Sequence, residues 1–100
     1  VQTELIGQYV IARCKDAGVH AGVLVAHDGR EATLKDSRRL WYWKPANGLK
    51  FLSGVAVAGL DEASKVGVTL PLIHLTETCE LILCTDAAKK SLLEIADDRR

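Results

Sequence analysis

Residues 36–45, Asp-Ser-Arg-Arg-Leu-Trp-Tyr-Trp-Lys-Pro, hold three of the five aromatic residues of this 100-residue chain, directly behind two adjacent arginines. A guanidinium forks onto phosphate through two parallel N–H donors and also stacks on flat rings, while Trp and Tyr offer π faces on which a base can lie. If the segment is a strand, alternation places Arg39, Trp41 and Trp43 on one face and Arg38, Leu40 and Tyr42 on the other. Either face then joins a cation to a large amphipathic ring. One face is expected to fill the core of so small a domain, since two tryptophans are its largest available core fillers. The other is expected to line a ligand pocket or a subunit interface, which favour the same residues. His20 lies on a strand that can neighbour this one and can donate to an anion. Lys44 is a marginal member of the set.

Other chemistry has less support. The remaining candidates are His20, His27 and His74 with Cys14, Cys79 and Cys84, and no two of these six stand at the short spacings of zinc sites. No metal or cofactor is expected. No GxSxG elbow, Gly-rich phosphate loop or HExxH is present, and the adjacent pairs Asp61–Glu62 and Asp97–Asp98 suit solvated loops. The chain is therefore expected not to be an enzyme. The odd cysteine count without a CxxC suits reduced thiols, read as core residues, in a cytosolic setting.

The elements that must hold the cluster are legible in outline. Residues 7–15 alternate as a strand, Asp16-Ala17-Gly18 is a turn, and 19–26 form a second strand with Gly22 inside it, where something approaches closely. Asp28-Gly29 is a hairpin signal, and 31–36 follow as a third strand. Residues 38–43 continue it or turn into another. Pro45 and Asn47-Gly48 break the pattern, and 49–60 read as a short helix. Residues 66–85 are strand material split at Pro71. From Ile73 the pattern is that of a half-buried strand with one wet face. Thr85 then stands at an N-cap position before a helix over 86–96. The fold class is α+β: a mainly antiparallel meander or small barrel, a C-terminal helix and a short middle helix, all one domain over residues 1–100.

Composition sets the outer bounds. With 48% hydrophobic and 26% charged residues the chain reads as a folded globular domain and not a disordered one. Thirteen acids balance thirteen bases, so duplex nucleic acid held through phosphate neutralisation is not expected. Six bases against two acids between Arg30 and Lys50 nonetheless make a local positive patch, which suits a small anion. No window approaches the roughly 20 apolar residues of a membrane span, and the first ten residues lack the layout of a signal peptide. A cytoplasmic, membrane-free protein is expected. A domain of this size often gains stability by self-association, so a homo-oligomer is expected too.

The strings Gly-Gln-Tyr-Val (7–10), His-Ala-Gly-Val-Leu (20–24), Asp-Gly-Arg-Glu (28–31) and Leu-Lys-Asp-Ser-Arg-Arg-Leu-Trp-Tyr-Trp (34–43) together resemble a group of small uncharacterised proteins encoded by phages and prophages. The likeness covers about residues 7–93, with residues 51–68 the least typical part. It implies a phage accessory role. Small cytosolic phage proteins often counter host defences, and one class are sponges that sequester nucleotide immune signals without cleaving them. Arg38 or Arg39 would hold phosphate, and Trp41, Tyr42 or Trp43 would pack on base or ribose. A structural or assembly protein with the aromatics in its subunit interface is the alternative. Residues 22–39 also have the cadence of Sm-like small barrels, which bind RNA, although the neutral charge counts against RNA.

Overall fold

A computed structural model describes residues 5–97. Strand β1 (Tyr9–Cys14), β2 (Val19–Asp28) and β3 (Glu31–Tyr42) form an antiparallel meander. A single 3₁₀ turn over Ala46–Gly48 and helix α1 (Leu52–Ala58) follow, then β4 (Lys65–Val66), β5 (Leu70–Leu75), β6 (Thr78–Leu83) and helix α2 (Asp86–Glu94). The sheet runs β4-β3-β2-β1-β6, and β5 pairs with the first half of β3. The fold is α+β with an open antiparallel sheet. The closed form of the barrel expectation is not what forms: β5 and β6 are successive in the chain, yet one lies along β3, the other along β1, and no ladder joins them.

Local chemistry accounts for most of the elements. The Asp28-Gly29 hairpin closes with Gly29 at φ +59. Asn47 and Gly48 both take positive φ after Pro45, which ends β3's direction. Thr85 caps α2, its hydroxyl accepting from the Ala88 N–H at 3.1 Å while donating to the Val57 carbonyl at 2.7 Å. One side chain thus stops an orphan donor of α2 and ties that helix to the end of α1.

The sheet is buried on both sides of β1. Tyr9 and Ile11 face the helices, in a cluster with Leu40, Val55, Val66 and Leu92. Val10, Ala12 and Cys14 face the other way, against Leu24, Leu34 and Leu75. The second cluster forms because the β2–β3 ribbon bends: its ladder shifts register between Ala21 and Val23 and again between Leu24 and Ala26, and Asp36 sits at φ +50 opposite the first shift. Bent there, the far half of the ribbon carries β5 back over β1. Gly22 is where the strands come closest. A Cβ on it would lie 3.0 Å from the Lys35 carbonyl oxygen and 3.1 Å from the Ser37 Cα, so the expected close approach is that of β3's own backbone. Each fully buried Leu or Ile in these clusters contributes about 1.5–3 kcal/mol.

Of the two readings of residues 38–43, continuation of the third strand is what forms, residues 31–42 being one strand bent at Asp36. Two expectations change. The strand read from Ile73 onward is two strands, parted at Thr76-Glu77, and Pro71 lies within β5 where a break was expected. The part puts Thr78 inside and Cys79 outside, so of the three cysteines read as core, Cys14 is buried, Cys84 half-buried and Cys79 exposed.

Candidate functional site

At the end of β3 the bent sheet leaves a groove of about 320 Å³. Its floor is Val19 and Leu40, paired across β2 and β3. One wall is Arg39, Trp41 and Trp43; the other is the β1–β2 turn, Asp16 to Gly18. The volume is at the lower end of the ~300–1,000 Å³ usual for small-ligand sites.

The six residues expected at a site divide. Arg39 and Trp41 lie on the outer face of β3, both exposed, Trp41 by 59%. Trp43, just past the strand, is half-buried against the helix-side core cluster and also lines the groove. Tyr42 is exposed and is not part of this groove's lining, the ladder shifting register between Leu40 and Tyr42. Arg38 and His20, by contrast, are buried and outside the groove's lining. Arg38 is 3% exposed, and its guanidinium donates through Nε to the Gly67 carbonyl at 3.0 Å and through Nη1 to the carbonyls of Leu92 and Ile95 at 2.9 and 2.7 Å. It holds the C-terminal end of α2, where a cation also complements the helix dipole. Facing the helices, it is set apart from any ligand in the groove.

His20 is 1% exposed and sits behind the groove wall. Its Nε2–H donates to the Ala17 carbonyl at 2.9 Å, which fixes the tautomer and braces the Asp16–Gly18 turn. The Cys14 N–H donates to the Gly18 carbonyl at 2.8 Å and closes the same turn. Burial lowers the affinity of the imidazole for a proton, the Ala17 carbonyl opposes this, and the nearby Arg39 charge adds to it. His20 is thus a buried brace of this turn. Its Nδ1 is buried without a hydrogen-bond partner among the described residues.

The turn residues are what the sequence reading missed as site members. Asp16 and Arg39 both line the groove, and among the described residues neither is in an ion pair. Opposite charges therefore face one space without neutralising each other. The signal was present in the meander itself, because pairing Val19 with Leu40 sets the preceding turn beside the following aromatics.

Two other hollows differ in chemistry. One, of about 310 Å³, lies between the β2–β3 hairpin tip and β6, where His27, Arg30 and the exposed Cys79 meet and Glu80 is tied to Arg13 at 2.8 Å. The other is apolar and lies beside Phe51 at the start of α1. The first has no aromatic lining and the second sets Lys50 beside the one ring of Phe51, whereas the β3 groove joins Arg39 to two indoles. Among the described residues no three His, Cys, Asp or Glu side chains gather as a metal site, and no helix is long and apolar enough to cross a membrane.

The family model described as Domain of unknown function (DUF6948) matches residues 7–92. The chain belongs to this family. The DUF6948 match takes in all six strands and every residue of the groove, so the bent ribbon and its aromatic end are part of the family's domain. Neither a curated protein nor a solved structure matches the chain significantly.

Proposed function

We propose that this chain is a non-catalytic binding protein that takes a small anionic, ring-bearing ligand, in the first instance a nucleotide, in the groove of Arg39, Trp41 and Trp43. The observation that carries this reading is the exposed Trp41 indole standing beside the Arg39 guanidinium on one wall. An indole left 59% exposed on a rigid strand offers a stacking platform whose ordering cost was met when the domain folded. The adjacent guanidinium supplies the bidentate donor pair that phosphate accepts. The likeness to phage and prophage proteins then suggests the setting: an accessory protein in the host cytosol, acting as a sponge that holds a nucleotide signal of the host's defences and releases it unaltered.

A second reading rests on a different observation. Leu70 and Leu72 are exposed on β5, which among the described residues has one unpaired edge and carries no Asp, Glu, Lys or Arg from Leu70 to Leu75, although His74 meets Glu31 at 2.9 Å. An edge with so few charges favours pairing with a second copy. In that reading the chain is a self-associating structural or assembly protein, and Trp41 and Tyr42 belong to subunit contacts.

Native mass spectrometry with a panel of linear and cyclic mono-, di- and trinucleotides separates the two. Nucleotide retained at fixed stoichiometry, recovered intact on denaturation and lost in Arg39→Ala and Trp41→Ala, supports the sponge. An oligomer indifferent to the panel, whose assembly changes in Trp41→Ala, supports the structural protein. Retention of single-stranded RNA with a steep loss on adding salt would replace both with an RNA-binding role.

A further inference from the structure

Two opposite charges, without an ion-pair partner among the described residues, share the groove. Asp16 lies on the turn wall and Arg39 on the strand wall, and no described side chain neutralises either. A site for anions alone gains nothing from a carboxylate, and a site for cations alone gains nothing from a guanidinium. The two together suit a ligand with an acceptor-rich anionic end, a flat middle and an edge of N–H donors.

Nucleobases differ in what they offer a carboxylate. A carboxylate has only lone pairs, so it prefers two adjacent, parallel donors. Guanine presents N1–H and the 2-amino group side by side. Adenine and cytosine each set one amino donor next to a ring-nitrogen lone pair, which faces the carboxylate unfavourably. Uracil sets its one N–H between two carbonyls. Resting on the nucleotide reading above, we infer that the groove selects guanine nucleotides: Asp16 accepts from N1–H and the 2-amino group, Trp41 stacks the ring, and Arg39 takes the phosphate. The space of about 320 Å³ suits one nucleotide unit. The His20 bond to the Ala17 carbonyl keeps the acceptor wall in place.

The test is calorimetric titration of the full chain with GMP, IMP and AMP, repeated with Asp16→Asn and Asp16→Ala. Asp16 is an exposed turn residue with no described hydrogen bond, and circular dichroism checks that each variant keeps its fold. GMP is expected to bind roughly ten- to a hundredfold more tightly than AMP, the range of a good bidentate contact, with IMP between them because it lacks the 2-amino donor. Both variants should erase the preference by weakening GMP binding, while AMP binding, freed of the carboxylate facing the adenine ring nitrogen, should not weaken. GMP and AMP binding equally, or a preference that survives in both variants, overturns the guanine assignment and leaves the nucleotide reading standing. No binding of any of the three overturns the mononucleotide reading along with it.

Discussion

The Arg38 guanidinium, in the second half of β3, donates to the Ile95 carbonyl oxygen at 2.7 Å, 57 residues further along the chain. With its bonds to Leu92 and Gly67 it is a polar link between the sheet and α2. Replacing it with Met keeps much of the stem's volume and removes every donor, leaving carbonyls at the helix end without that partner. Arg38→Met is expected to lower stability by about 2–4 kcal/mol in urea unfolding. Arg38→Lys should recover only part of this, since one ammonium lacks the fork that reaches both sides.

Gly22 supplies a second check on the bent ribbon. Ala at this position brings its Cβ against the Lys35 carbonyl and the Ser37 Cα, both main-chain atoms that cannot rotate away. An unfolding free energy lower by about 1–3 kcal/mol is expected. Equal stability of wild type and Gly22→Ala would mean the two strands part easily at the bend.

How much of this was legible beforehand depended on the range of the forces involved. The Thr85 cap and the Asp28-Gly29 hairpin are local, and both stand where their residue types put them. The division between β5 and β6 was hidden because Thr76-Glu77 has none of the usual turn residues, and the break comes from pairing with two different strands, β3 and β1. Arg38 and Arg39 are adjacent and chemically identical. Alternation separated their faces, but which face was inner is decided by α2, far along the chain, and so the buried arginine was counted with the exposed one. Asp16 was read as a plain turn residue, because its partner across the groove is set by strand register and not by anything next to it in sequence.

Acid should weaken the fold through His20. Burial depresses its pKa in the folded state, so below about pH 6.5 the unfolded chain takes up a proton that the folded chain resists. The contribution is fully present above that pH and is lost as pH falls from there toward the depressed folded value. Urea midpoints measured at pH 7.5 and at pH 5.5, both about one unit from the ordinary imidazole value, should differ more in wild type than in His20→Gln, whose amide still reaches the Ala17 carbonyl. A variant with the wild-type pH slope would assign the loss to other groups.

The thiols should react in two classes. Cys79 is exposed, whereas burial raises the pKa of Cys14 and pushes that of Cys84 up to about 12. Ellman's reagent is expected to titrate one thiol per native chain quickly and the other two only after denaturant is added, with the fast phase absent in Cys79→Ser. Two fast thiols would show that the helix layer over Cys84 opens readily.

Because β1, the first strand, takes its outer partner from β6, the sheet cannot be completed until residue 83 is available. The groove is different: its walls and floor all fall between Asp16 and Trp43, within the meander. On the ribosome, therefore, the recognition surface is synthesised well before the strand and helix that lock it. A nascent chain that has released Trp43 but not yet α2 would already display the aromatic ribbon, with Arg38 still awaiting the helix it fastens.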